Sequence, residues 1–223
     1  MILPKTLSRK KFAVYGIGAT GLSVIRYLKK LKVKNLYVWD DDKINRNRFK
    51  QKINIKEFSK SLDTVDYIVL SPGININKTK IKKQILKNKN KIITDLDLLY
   101  IENPNIRSIV VTGTNGKSTV CKMIEHLLKK NGFNVKLGGN IGKPILSIKK
   151  NKKTLFIIEA SSFQLANSKF VKPNYAFILN ITKDHLDWHG SMEAYTNSKF
   201  KIFLLQNKRD FAFLRDKKLI KKF

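Results

Sequence analysis

The sequence has almost no cysteine: one residue, Cys121, among 223. A single thiol excludes an internal disulfide and any cysteine-built metal cage. No apolar run approaches the ~18 residues of a membrane-crossing helix, and the opening residues MILPKTLSRKK contain no signal-peptide core. These absences predict a reducing, cytoplasmic setting and no membrane insertion. Acidic residues are scarce too: 16 Asp and Glu stand against 46 Lys and Arg, a formal net charge of +30. Such an excess raises nucleic acid or an anionic membrane as a partner. Here, however, it is spread along the whole chain together with abundant Asn and Ile, as in KNLYVWDDDKINRNRFKQKINIK. An AT-rich coding sequence produces that combination without selection for binding, so no specific nucleic-acid partner is expected. Internal repeats, low-complexity linkers and a Ser-His-Asp arrangement with a nucleophile elbow are also missing.

What is present is a globular composition, 42% hydrophobic and 10% aromatic, long enough for one large domain or two modest ones. Short β-branched runs alternate with amphipathic stretches, the rhythm of an α/β fold with open parallel sheets. Strands are expected at 11–15, 35–39, 66–71 and from 92, with a helix at 20–32. A helix at 95–102 and the turn Asn103-Pro104-Asn105 lead into a second unit. That unit has strands near 107–112, 133–137, 154–159, 175–180 and 210–214, and helices at 117–130 and 191–205. The domains are therefore expected at 1–94 and 95–223, the first Rossmann-like and the second of phosphate-loop ATPase type.

Gly16-Ile17-Gly18-Ala19-Thr20-Gly21 lies between an expected strand and helix. Glycine allows the tight turn and the approach of a phosphate to free N–H groups at the helix start. Asp40 ends the second strand, where a carboxylate can bond a ribose hydroxyl. A dinucleotide site, another nucleotide site and a plain strand-to-helix turn all fit these residues. Thr112-Gly113-Thr114-Asn115-Gly116-Lys117-Ser118-Thr119 is more specific. Its N–H groups can wrap phosphates, Lys117 can neutralise charge and the Ser118 hydroxyl can hold Mg²⁺. The spacing departs from G-x-x-x-x-G-K-[ST], because Val111 stands five residues before Gly116 and the first glycine, Gly113, only three before.

Glu159 closes an apolar strand at its carboxyl end, so a cation partner, Mg²⁺ or Lys117, is expected. Ser161, Ser162 and Gln164 follow, as a helix cap or as ligand contacts. His185 and His189 lie four residues apart after another strand, a spacing that suits a metal only with a further ligand. His126 reads as a solvated helix residue and Cys121 as core packing.

In order, GIGATG, SPGI (71–74), TGTNGKST, GGNIGKP (138–144), EASSFQL (159–165) and NITKDHLDWHGSMEAY (180–195) resemble the Mur ligase family, over almost the whole chain. SPGI together with E-x-S-S-F-Q-L points to the D-glutamate-adding branch. The resemblance implies a UDP-binding N-terminal domain, a central ATPase domain and a C-terminal domain that receives the amino acid. The implied partners are ATP, Mg²⁺, UDP-N-acetylmuramoyl-L-alanine and D-glutamate, joined through an acyl phosphate. It places Gly18, Thr20, Asp40, Ser71 and Gly73 at the UDP end of the substrate, and Asn140, Ser161 and Gln164 toward its muramoyl-alanine end. ATP falls to Gly113, Thr114, Asn115, Gly116, Lys117, Ser118 and Thr119, with Lys117 at the γ-phosphate. Ser118 and Glu159 would hold one Mg²⁺. His185 and Lys199, the latter matching the family lysine that carries a carbamate, would hold a second, which makes Lys117, His185 and Lys199 the catalytic set. A carbamate would give Lys199 the hard anionic oxygens that Mg²⁺ prefers.

Trp188 stands where the family usually has arginine. The sequence also stops in what reads as an unfinished sheet, so the C-terminal domain and much of the adenine pocket are expected to be absent. The implied readings are a fragment of the ligase, one that works with a separately encoded C-terminal half, or a non-catalytic nucleotide-sugar-binding remnant.

Overall fold

A computed structural model of the chain describes residues 4–49, 53–149, 151–215 and 220. Two compact units divide the chain, Met1–Asn103 and Pro104–Phe223.

The first unit has a four-stranded parallel sheet made of β1 (Phe12–Tyr15), β2 (Leu36–Trp39), β3 (Tyr67–Leu70) and β4 (Ile92–Ile93), in the order β2-β1-β3-β4. Phe12 aligns with both Leu36 and Tyr67, and Tyr15 with both Trp39 and Leu70. β1 is buried along its whole length, as a strand covered on both faces should be. α1 (Ala19–Lys30) buries Gly21, Val24, Ile25 and Leu28 and leaves Lys29 and Lys30 in its last turn, where cations suit the helix dipole. The chain leaves β1 toward β2 and later returns to the other side of β1 for β3. That reversal gathers the loops after β1, β2 and β3 at one edge.

Three helices in this unit lie in stretches that showed no helical pattern: α2 (Lys43–Arg48), α3 (Ile55–Ser61) and α4 (Lys82–Lys87). They are six or seven residues long and rich in Lys and Asn, so apolar periodicity has no room to show. α3 is fixed instead by a capping box between Asn54 and Glu57. α5 (Asp95–Glu102) is held by a second capping box, Thr94 with Asp97. It is buried from Asp95 to Ile101 and packs on α1, so the first compact unit extends to Asn103.

The second unit is a five-stranded parallel sheet in the order β6-β7-β5-β8-β9. Its strands are β5 (Arg107–Thr112), β6 (Val135–Gly139), β7 (Leu155–Glu159), β8 (Tyr175–Ile178) and β9 (Phe211–Leu214). The helices are α6 (Lys117–Lys130), α7 (Ser162–Asn167), α8 (Leu186–His189) and α9 (Met192–Phe200). α6 packs on β5, β6 and β7, burying Cys121 against Ile109, Val111, Val135, Leu155 and Ile157. Some boundaries move from their expected places. The strand expected at 133–137 starts at Val135, leaving Phe133 exposed. The helix expected at 191–205 ends at Phe200, and residues 201–205 form turns. β8 stops at Ile178, because Asn180 turns away to hold the loop after β5.

Candidate functional site

In the first unit the glycine-rich turn is built by close approach. Gly16 has φ +98°, and a Cβ on Gly21 would lie 1.8 Å from the Gly16 carbonyl oxygen. Glycine is therefore the residue that lets the helix start against the end of β1. Ser71 braces the turn by donating its hydroxyl to the Gly16 carbonyl at 2.9 Å. Asp40 is buried and already engaged: Oδ2 accepts from the Ile17 N–H at 2.5 Å and the Asn45 amide at 3.2 Å, and Oδ1 from the Asp42 N–H at 2.8 Å. It shapes the turn rather than projecting a free carboxylate. Gly18 is exposed at the N-cap of α1 and supplies no side-chain cap, with Thr20 in the first turn. The N–H groups there are available to an anion. Gly73 is exposed in the turn after β3. An open cavity of about 620 Å³, lined by Ile17, Gly18, Ala19, Arg26, Asn45 and Phe49 among others, adjoins this turn.

Around Asp41 lies a second set of contacts that the sequence did not reveal. The Tyr15 hydroxyl bonds Asp41 at 2.5 Å and also Thr79, while the Trp39 indole donates to Asp41 at 2.9 Å. Arg46 stacks 4.6 Å over the Trp39 ring and donates to the Asp40 and Asp41 carbonyls. Together they fix the segment after β2.

In the second unit the carboxyl ends of β5, β7 and β8 converge. Gly116 caps α6 with φ +82°, and Thr119 is exposed in the first turn of that helix. Asn115 is held from both sides, its N–H donating to Asn180 Oδ1 at 2.9 Å and its carbonyl accepting from the Asn180 amide at 3.0 Å. Thr114 bonds the backbone of Thr182 and the Tyr195 hydroxyl. Lys117 folds back over the loop and donates to the Gly113 and Thr114 carbonyls at 2.9 and 2.7 Å.

Glu159 is 2% exposed. The Ser118 hydroxyl donates to its Oε2 at 2.7 Å and the Asn140 amide to its Oε1 at 2.7 Å. Both donors are neutral, and among the described residues no cation lies within ion-pair distance of the buried carboxylate. Desolvating such a charge is costly, and the cost is unexplained until a cation arrives. Ser161 and Gln164 form the capping box of α7. Of the two alternatives for these side chains, the cap is the one seen.

Lys199 is 1% exposed and donates to the Gly113 carbonyl at 2.9 Å. Burial, with the Lys117 ammonium nearby, pushes its amine down to about 7, against an opposing pull from Asp184. His185 sits at φ +51°, a strained position for a residue with a side chain, and its Nε2 lies 3.4 Å from Asp184 Oδ2. His185 and Lys199 meet the same residue, Tyr195. The imidazole is 6.4 Å from its ring centroid and the amine 4.4 Å. His189 is turned inward and bonded to the Ser162 hydroxyl at 3.0 Å. Burial first, then Lys199 and His185, push its imidazole down to about 4. Phe163 packs against His185, Trp188 and His189. Trp188 thus fills an aromatic cluster where an arginine would place a charge. Burial drives the Cys121 thiol up to about 12 and keeps it protonated, as core packing requires.

Among the described residues no three His, Cys, Asp or Glu side chains cluster as a metal cage. The donor set still fits Mg²⁺ in one place: a hydroxyl and an uncompensated buried carboxylate below a phosphate loop are hard oxygen ligands, with phosphate oxygens to complete the shell. As an ammonium, Lys199 cannot be a ligand. The roles of Tyr195 and Asn180 were missed by sequence reasoning, since nothing local marks an Asn or Tyr that reaches back to a distant loop, and His189, read as half of a histidine pair, bonds Ser162 instead.

Two parallel α/β units, each with a glycine-bearing turn at the carboxyl edge of its sheet and the second with a buried carboxylate under a G-K-S loop, define a protein of the phosphate-loop α/β class. The chain belongs to the Mur ligase family: residues 111–223 match the Mur ligase middle domain and residues 10–94 the MurD-like N-terminal domain of Mur ligases. It is similar to the UDP-N-acetylmuramoylalanine–D-glutamate ligase of Rickettsia felis, with 41% identity over 210 residues, 92% of this chain and 46% of that protein. The Rickettsia bellii ligase of the same name is 38% identical over 211 residues, again 92% and 46%. The chain thus spans about half the length of these curated relatives. The crystal structure of UDP-N-acetylmuramate:L-alanyl-gamma-D-glutamyl-meso-diaminopimelate ligase from Neisseria meningitides shares the fold, with a TM-score of 0.52, 18% identity and coverage of 95% of this chain and 74% of that one. No helix among the described residues is long and apolar enough to cross a membrane.

Proposed function

We propose that the chain forms the nucleotide-sugar-binding and ATP-binding portion of a ligase that joins D-glutamate to UDP-N-acetylmuramoyl-L-alanine in peptidoglycan precursor synthesis. The observation that carries this reading is the buried Glu159 carboxylate, bonded to Ser118 directly below the phosphate loop. A carboxylate at that position suits a Mg²⁺–nucleotide. Mg²⁺, when bound, neutralises phosphate charge during phosphoryl transfer. Ser118 and Glu159 would hold it, the loop from Gly113 to Thr119 would wrap the phosphates, and Lys117 would leave the Gly113 and Thr114 carbonyls for the γ-phosphate.

The alanine carboxylate of the substrate attacks the γ-phosphorus and ADP leaves. The D-glutamate amine then attacks the acyl phosphate carbonyl, loses a proton and expels phosphate. The protein supplies positioning and charge stabilisation rather than a covalent nucleophile. The α1 N-terminus at Gly18 and Thr20, in the turn braced by Ser71, would receive the diphosphate, with Asp40 holding that turn through the Ile17 N–H and Gly73 in the turn after β3. The family resemblance assigns Asn140, Ser161 and Gln164 of the second unit to the muramoyl-alanine end of the substrate. Lys199 is set up for carbamylation: with its amine near 7, an appreciable neutral fraction can add CO₂ and release one proton. Such a carbamate would, together with His185, offer oxygen and nitrogen donors to a second cation.

Joining this chain to the remainder of the Rickettsia felis ligase, beyond the matched residues, tests the reading. Phosphate release that requires ATP, D-glutamate and UDP-N-acetylmuramoyl-L-alanine together supports it. Release that ignores the nucleotide sugar contradicts it.

A further inference from the structure

The loop between β5 and α6 is short: only Gly113 to Gly116 separate Thr112 from Lys117. With its first glycine so close to Gly116, it has less chain with which to close around a phosphate than the G-x-x-x-x-G-K-[ST] spacing supplies. Its shape is imposed instead by a neighbouring segment, residues 179–182, which follows β8. The pairing of β5 with β8 continues past the strand ends. The Leu179 N–H donates to the Thr112 carbonyl at 3.0 Å, and the Thr114 N–H to the Asn180 carbonyl at 2.9 Å. The Asn180 side chain then adds one more rung. Its Oδ1 accepts from the Asn115 N–H at 2.9 Å and its amide donates to the Asn115 carbonyl at 3.0 Å. A carboxamide presents an acceptor and a donor side by side, as a peptide unit does, so Asn180 stands in for a strand residue where the strand has ended. Beyond it the Thr182 N–H donates to the Thr114 hydroxyl at 3.0 Å.

These bonds divide the donors of the loop into two sets. The N–H groups of Thr114 and Asn115 are occupied by Asn180. α6 begins its own ladder with the Val120 N–H on the Gly116 carbonyl at 3.0 Å, which leaves the N–H groups of Lys117, Ser118 and Thr119 without an intrahelical acceptor. Phosphate oxygens would meet that second set, while Thr114 and Asn115 form the fixed wall of the loop. We infer that Asn180 is a positioning residue for nucleotide binding, holding the phosphate loop in its binding shape before a nucleotide arrives so that binding need not order it. The inference rests on the reading of residues 113–119 as a phosphate site. Asn174 supplies a matched comparison at the amino end of the same two strands, where its Oδ1 accepts from the Ser108 N–H at 3.0 Å. Both side chains pin β8 to β5, and only Asn180 does so at the loop.

Calorimetric titration of the 223-residue chain with Mg²⁺–ATP, joined to amide exchange followed by NMR, tests the assignment. Asn180→Ala should weaken Mg²⁺–ATP binding by about tenfold or more and speed exchange of the Asn115 amide. The Thr114 amide, bonded to the Asn180 backbone carbonyl, should keep its protection. Asn174→Ala should leave the Mg²⁺–ATP affinity unchanged even though it lowers the melting temperature. In the unaltered chain the Asn115 amide is expected to be protected without nucleotide, a readout that needs no variant. An Asn115 amide that exchanges as freely as an exposed loop residue would overturn the inference. So would an Asn180→Ala chain that binds Mg²⁺–ATP as wild type does, or equal losses of affinity in the Asn180→Ala and Asn174→Ala chains. An unaltered chain that protects the Asn115 amide yet binds no Mg²⁺–ATP would remove the phosphate-site reading, and the inference with it.

Discussion

Replacing Glu159 by Gln separates what the carboxylate does for the protein from what it does for a ligand. In the free chain Glu159 accepts from Ser118 and Asn140. Hydrogen bonds to a charged acceptor contribute about 1.5–3 kcal/mol each, against about 0.5–1.5 for neutral ones. Gln keeps the shape and can keep both contacts, with Ser118 accepting from the new amide, so the lost bond strength is on the order of 2–3 kcal/mol. Against this stands the desolvation of a carboxylate that is 2% exposed and, among the described residues, has no ion-pair cation, an effective penalty of several kcal/mol in real proteins. The balance favours Gln by about 1–2 kcal/mol, a rise of a few degrees in melting temperature. The trade is familiar at functional sites, where stability and activity pull in opposite directions. Thermal unfolding followed by fluorescence, with and without Mg²⁺ and ATP, reads both effects. The variant should melt higher than wild type alone and lose the stabilisation that the Mg²⁺–nucleotide gives wild type. A variant that melts lower and still responds to the Mg²⁺–nucleotide would refute the reasoning.

Gly21→Ala should destabilise the first unit by about 1–3 kcal/mol or more in urea unfolding, because its Cβ would lie 1.8 Å from the Gly16 carbonyl and backbone must move. His189, near 4 in the folded protein and about 6.5 unfolded, binds more protons when unfolded between those values. Its contribution is therefore complete above pH 6.5 and is lost as pH falls toward 4. Screening of a partly exposed ring leaves about 1–2 kcal/mol, and His189→Gln should flatten that part of the stability profile. In a whole ligase carrying these segments, Lys199→Ala should be inactive and partly restored by added acetate, whose oxygens replace those of a carbamate at the cation; a fully active variant would count against the assignment.

The strands were legible because parallel strands buried on both faces are continuous β-branched runs: KFAVY, RSIVVT and TLFIIE read as strands and are strands. Both phosphate-type turns were legible because glycine followed by a helix start is a local pattern. The role of Asp40 was only half legible. Its place after β2 was clear, but its engagement with the Ile17 N–H depends on how β1 and β2 align. The short helices α2, α3 and α4 left no periodic trace. The contacts of Tyr195, Asn180 and His189 were invisible for a different reason: each acts on a segment at least 27 residues away in sequence, and only the sheet order brings them together. Composition and spacing alone leave Lys199 one lysine among many; the family resemblance singled it out, and the fold buries it beside Gly113.

Calorimetric titration of the 223-residue chain with UDP-N-acetylmuramoyl-L-alanine tests the central claim most directly. The first glycine-rich turn admits either a dinucleotide or a nucleotide sugar, and the free α1 N-terminus braced by Ser71 would receive the diphosphate of either. Saturable binding that UDP displaces, that NAD does not, and that Gly18→Val weakens at least tenfold is the predicted result. No saturation at millimolar ligand, or tighter binding of NAD than of the nucleotide sugar, would contradict it.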